Sequence, residues 1–158
     1  MAYHCFCNGA IFFVKEAVLP TIPYIHFQGQ CAEALTLYAT IFGGTNLQMM
    51  RYGDGPDAPP AWKNSPRIMH GQVTIGENTL MASDYPPGID GDNQNGFSVL
   101  QTTPDVPSAR AAFDQLAVGG KIRDAFKPTF FSPGFGMVQD RFGTHWIISA
   151  LPADPGPG

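Results

Sequence analysis

At 158 residues the chain has the size of one compact domain with a sizeable core, not of two independent domains. A formal net charge of -4, with 14% charged residues and no Lys/Arg cluster, offers a phosphate backbone no electrostatic footprint, so nucleic acid is set aside as a partner. A membrane-spanning helix needs roughly 20 apolar residues; no run approaches that, and the stretch Ala10 to Val14 is far too short.

Residues 1–20 lack the cationic start and long apolar core of a secretory signal and are read as an N-terminal extension ahead of one domain over 21–152, with a tail at 153–158. Cys5, Cys7 and Cys31 are odd in number, and the Cys5-x-Cys7 pair lacks the second ligand pair of a zinc site. Free thiols in a reducing cytoplasm are the expectation.

Pro23 to Phe27 is rich in aromatic and β-branched residues and predicts a strand. From Cys31, the residues Ala34, Leu35, Leu37, Tyr38, Ile41 and Phe42 recur at helical spacing. Gly43-Gly44 supplies the left-handed stop for that helix. A second strand follows over Asn46 to Tyr52. The Pro/Gly-rich run from Gly53 to about Pro66 predicts a long loop, either a lid over a site or a plain excursion, with Trp62 in its middle. Arg67 to Ile75 and Thr79 to Ser83 form a hairpin about Gly76-Glu77-Asn78.

Asp84 to Asn95 reads as a connection, after which the order repeats. A strand over Phe97 to Thr102 leads to a helix over Ser108 to Val118, capped by Asp105 or Ser108 with Pro107 tolerated at its start. Gly119-Gly120, a strand over Lys121 to Ala125 and a hairpin over Gly136 to Ala150 complete the second copy. The repeat divides the domain into modules of about 21–84 and 96–152 and points to a site between them.

The order and spacing of several short motifs carry a family resemblance. They are Pro23-Tyr24-Ile25-x-Phe27, Ala32-Glu33-Ala34, Leu37-Tyr38, Ile41-Phe42-Gly43-Gly44, Met49-x-Arg51-Tyr52-Gly53-Asp54, Ile68-Met69-His70, Leu80-Met81-x-Ser83-Asp84 and Asp140-Arg141-Phe142-Gly143-x-x-Trp146. From about Ile22 to Leu151 the chain resembles the vicinal oxygen chelate superfamily of glyoxalases, bleomycin-resistance proteins and extradiol dioxygenases, in its PhnB-like branch. The resemblance implies an α+β fold of two βαβββ modules, forming a cupped, mostly antiparallel eight-stranded sheet with the helices outside. It also implies a ligand cleft made by two half-cups, and a homodimer.

In metal-dependent relatives, four inward positions on the first, fourth, fifth and eighth strands carry metal ligands. Carried over by the strand motifs they fall at Pro23, Ala82, Phe97 and Ile147, none of which ligates a divalent cation, so neither metal nor cofactor is expected. Strand parity then aims Phe27, Asp84, Gln101, His145 and Ser149 inward and His26 away from the cleft, with Trp146 beneath the helices. Tyr52, Trp62, His70, Gln72 and Phe97 complete the expected ligand-binding set. His70, Asp84 and His145 are the candidate acid-base groups, Asp84 and His145 as a carboxylate-imidazole pair.

The expected function is small-molecule binding. The alternatives are a glyoxalase-type lyase or isomerase, using acid-base chemistry or an atypically held metal, and a structural dimerisation module. The PhnB-like branch is often labelled a ubiquinone methyltransferase. A Rossmann-type methyltransferase needs a Gly-rich turn between a strand and a helix, whereas Gly134-Phe135-Gly136 leads into a strand and Gly53-Asp54-Gly55 opens no helix.

Overall fold

A computed structural model describes residues 20–152; the expected extension and tail lie outside the described residues, but for Pro20. Strand β1 (Tyr24–Phe27) leads to helix α1 (Cys31–Phe42), then to strands β2 (Thr45–Arg51), β3 (Ile68–Ile75) and β4 (Asn78–Asp84). The second module repeats this with β5 (Val99–Thr103), α2 (Val106–Ala117), β6 (Lys121–Lys127), β7 (Phe135–Gln139) and β8 (His145–Ala150). Each module forms one four-stranded sheet, ordered β1-β4-β3-β2 and β5-β8-β7-β6. In each, the first strand pairs in parallel with the last and the other pairs are antiparallel. This is the α+β duplication that the sequence predicts.

The differences from expectation are local. Asp105 accepts a hydrogen bond from Ser108 N at 2.7 Å, which sets the cap and lets α2 begin at Val106. Strand β5 starts after Phe97. Ile75 pairs with Asn78, so the first hairpin has a two-residue loop, and Gly76 at φ 60° supplies the positive φ that such a tight turn needs. The long loop is not wholly irregular: it contains short 3₁₀ turns at Tyr52–Asp54 and Pro60–Trp62. A Cβ on Gly53 would lie 2.6 Å from Lys63 O, so only glycine lets the two arms of this loop touch.

One helix lies on one face of each sheet, and the same device seats both. A Cβ on Gly71 of β3 would lie 2.6 Å from Leu35 Cδ1 of α1, and one on Gly136 of β7 would lie 2.6 Å from Phe113 Cε2 of α2. A side chain missing from the strand is thus filled by a large apolar one from the helix, keeping interior density near that of a crystal. Ile25, Phe27, Val73 and Ala82 face α1, and Val138, Trp146 and Ile148 lie on the corresponding face of the second sheet.

The two modules join on this helix side. Tyr38 of α1 packs against Trp146 with ring centroids 4.9 Å apart, and Phe42 packs against the same indole at 5.2 Å. Asp140, in the β7–β8 turn, accepts from the Tyr38 hydroxyl at 2.6 Å, from Trp146 Nε1 at 2.9 Å and from the backbone of Phe142 and Thr144. The resemblance implies two half-cups facing across a cleft. Within one chain the modules instead share a helix-side core, and the faces opposite the helices stay open.

The connection between the modules is tied down. Arg67 donates through Nη1 to the carbonyls of Tyr85, Pro86 and Ile89. The Gln28 carboxamide exchanges hydrogen bonds with the backbone of Gly91 in both directions. A Cβ on Gly91 would lie about 2.0 Å from the Tyr85 ring, so the main chain lies directly on that ring.

Candidate functional site

Strand parity decides which side chains reach the open faces. Ile25 and Phe27 of β1 pack beneath α1, which turns Tyr24 and His26 to the other side. By the observed register Tyr24 lies opposite Met81 and His26 opposite Ser83, while His70 and Gln72 of β3 lie opposite Met50 and Gln48 of β2. The open face of the first module therefore carries Tyr24, His26, Gln48, His70, Gln72 and Ser83.

These groups are paired. The Tyr24 hydroxyl lies 3.1 Å from His70 Nδ1, and His26 Nδ1 lies 3.0 Å from Ser83 Oγ. The Tyr24 ring stands between the two imidazoles, with centroids 5.2 Å from His26 and 5.9 Å from His70. Tyr85 flanks His26 at 5.4 Å. At one end the Tyr52 hydroxyl donates to the Asp84 carbonyl at 3.0 Å, and its ring meets Trp62 edge-on at 5.3 Å. Partial burial pushes the Tyr52 phenol above its usual range, with smaller contributions from Tyr24 and Asp84 that Arg67 opposes. Tyr52 thus stays a neutral donor. The face combines aromatic walls with two oriented imidazoles, an arrangement suited to a flat molecule with hydrogen-bonding groups.

Of the expected site residues, Tyr52, Trp62, His70 and Gln72 come together here. His26, expected to point away, joins them, and Tyr24 and Tyr85 were missed. His145 and Ser149 lie on the open face of the second module, beside Met137, Gln139 and Ile147. There the Ser149 hydroxyl donates to Ser132 Oγ at 3.1 Å, and His145 Nε2 is buried with no hydrogen-bond partner among the described residues.

Four expected positions fall elsewhere. Phe27 is core, 2% exposed. Asp84, 1% exposed, accepts from Gly29 N and Cys31 N at the start of α1, at 2.7 and 3.0 Å, and from Ile68 N at 2.7 Å. Its carboxylate anchors a helix start and a strand start, and it forms no pair with His145. Gln101 turns to the helix side, where it lines a cavity of about 320 Å³ between the modules with Val99, Leu80 and Trp146. Phe97 is exposed and precedes β5.

The inward positions carried over from metal-dependent relatives need the same correction. Ala82 is buried beneath α1, Pro23 and Phe97 lie outside the strands, and Ile147 alone reaches an open face. The corresponding strands present Tyr24, His26, Met81, Ser83, Leu100, Thr102, His145, Ile147 and Ser149 instead. A catalytic divalent metal is held by roughly three protein ligands. His26 and His70 of the first module are joined there by no carboxylate or thiolate, and among the described residues no three His, Cys, Asp or Glu side chains form a metal-holding group. Among the described residues, the carried-over positions supply no donor set of the kind that the relatives' metal needs.

The paired βαβββ modules and their open faces define a protein of the vicinal oxygen chelate fold. The chain belongs to the family described as 3-demethylubiquinone-9 3-methyltransferase, whose model matches residues 20–149. It is 32% identical to protein YjdN of Escherichia coli K12 over 146 residues, covering 87% of this chain and 99% of the relative. Protein PA1353 of Pseudomonas aeruginosa is similar at 36% identity with a TM-score of 0.77, over 84% of this chain and 98% of that one. A glyoxalase/bleomycin resistance protein from Albidiferax ferrireducens shares the fold, at 10% identity and a TM-score of 0.53 over 82% of this chain and 98% of its own. The family description names a methyl transfer; in this chain α1 follows Gln30 and α2 follows Asp105, so neither helix opens on the Gly-rich nucleotide turn of a Rossmann fold. Among the described residues no helix is long and apolar enough to cross a membrane.

Proposed function

We propose that this protein binds a small planar molecule on the open face of its first module, between Tyr24, His26, Trp62 and His70, and that a second copy of the chain closes the site as a homodimer. The observation that carries the reading is the uncovered aromatic and imidazole face, in a module whose other face is packed against α1. Pairing has its own support in large apolar side chains left in solvent. Phe130 and Phe131, with ring centroids 5.0 Å apart, are 99% and 53% exposed, and contiguous exposed apolar surface marks an interaction site. We place this binding in the cytoplasm, with Cys31 a buried free thiol.

A second reading is favoured by one contact. The Tyr24 hydroxyl hydrogen-bonded to His70 Nδ1 is a pair able to pass a proton, so an isomerase or lyase step on the same bound molecule is the alternative.

Native mass spectrometry of the purified protein tests both parts. The expected result is a dimer that carries, or takes up from a panel of aromatic acids and quinones, one ligand per chain. A monomer at micromolar concentration would overturn the dimer. Uptake unaltered by His70→Ala and Trp62→Ala would overturn the site. Conversion of the bound molecule, lost in Tyr24→Phe, would select the second reading.

A further inference from the structure

Beyond the open face, a second cavity of about 380 Å³ lies at the outer edge of β1, between the tied connection and the β7–β8 turn. It shares only His26 with the site proposed above. Six lining residues carry carboxamides, Gln28, Gln30, Asn93, Gln94, Asn95 and Gln139, with Asp92 and the Phe142 ring beside them and no Lys or Arg.

Hydrogen bonding fixes how part of this lining is presented. Both ends of the Gln28 carboxamide are engaged by Gly91, and Gln139 is held by Arg123 and by the Gly143 carbonyl. These two brace the walls. Gln94 Nε2 donates to the His26 carbonyl at 3.3 Å. A carbonyl only accepts, so the amide orientation is set by chemistry. Gln94 Oε1 is then buried and accepts nothing among the described residues. A buried acceptor without a donor costs about 1–3 kcal/mol, which a ligand hydroxyl would recover once the Gln94 side chain turns towards the cavity. Gln30 Oε1 accepts from Gln28 N, leaving its NH₂ to donate.

We propose that this cavity binds a neutral, polyhydroxylated molecule of monosaccharide or polyol size. A hydroxyl both donates and accepts, as a carboxamide does, so adjacent hydroxyls match the donor and acceptor of one amide. Asp92 accepts from hydroxyls, and with no cation in the lining it disfavours anions. Phe142 offers the part of its ring that the Arg141 guanidinium, 4.6 Å from the centroid, leaves uncovered to the apolar C–H face of a sugar.

The test is titration of the full chain with glucose, N-acetylglucosamine and myo-inositol, followed by amide ¹H–¹⁵N spectra that include side-chain NH₂ signals. The expected result is saturable shifts of the Gln30 and Gln94 NH₂ signals with at least one of them, at millimolar affinity. Gln94→Met should weaken binding tenfold or more. Asp92→Ala, in an exposed loop, should weaken it several-fold and keeps the test decisive if the first variant fails to fold. Trp62 fluorescence should not respond, which separates this cavity from the aromatic face. No saturable shift with any of the three, affinity unchanged in both variants, or saturation by glycylglycine instead would overturn the proposal.

Discussion

The Tyr38 hydroxyl of the first module donates to the Asp140 carboxylate of the second across 2.6 Å, with both groups buried. Asp140 also takes the Trp146 indole N–H and two backbone N–H groups of its own turn. Replacing it by alanine would strip the Trp146 indole N–H and the Phe142 and Thr144 N–H groups of their acceptor, while the Tyr38 hydroxyl keeps Thr144 Oγ1 at 3.1 Å. Asp140→Ala is expected to cost about 3 kcal/mol or more, and Tyr38→Phe, which leaves those N–H groups paired, about 1–2 kcal/mol. Urea unfolding of both variants checks the order; equal midpoints would sink it.

Alkaline pH should weaken the fold through two groups. Burial, reinforced by Asp140, holds the Tyr38 phenol well above its ordinary value near 10. Burial, and to a lesser degree Asp84, pushes the Cys31 thiol up to about 12 from 9.0. Both native groups keep their protons while the unfolded chain gives them up. Their stabilising contribution is complete below pH 9 and falls as pH rises from there towards 12. Chemical denaturation between pH 8 and 11 should show this decline, with a shallower slope in Tyr38→Phe.

The two helix seats predict a matched pair of defects. Gly71→Ala and Gly136→Ala both place a methyl group where a helix side chain already sits, and overpacking of this kind costs about 1–3 kcal/mol. Gly136→Ala should be the worse of the two, because the Phe113 ring cannot bend aside as the Leu35 methyl can. Thermal melts of the two variants give the comparison.

Trp62 and Trp146 should report different events. Trp146 is 1% exposed in the shared core, and Trp62 stands half-buried beside Tyr52. A ligand on the open face should quench emission in the wild type and leave Trp62→Phe unchanged. Quenching retained in Trp62→Phe would place the ligand elsewhere.

The duplication, both helices, Trp146 as a core residue and the order of strands were legible in the sequence, because helical spacing and glycine stops are local signals. The identity of the covered face was not. In Tyr24-Ile25-His26-Phe27 both parities carry large rings or β-branched carbons, so alternation alone does not tell wall from core. The fully buried stripe Cys31, Ala34, Leu35 and Tyr38 needs apolar partners, and Ile25 with Phe27 supplies them. That requirement would have reversed the assignment and placed His26 in the site. Asp84 was misread for another reason. Its three donors come from segments distant in sequence, two at the start of α1 and one at β3, and no periodicity records them.

The fastened connection between the modules bears on how two copies can meet. Trading modules between chains would require residues 85–96 to swing out as a hinge, giving up the three carbonyls gripped by Arg67 and the two-way bond between Gln28 and Gly91. These contacts disfavour such an exchange, so a pairing of the kind proposed above would lay one intact molecule against another.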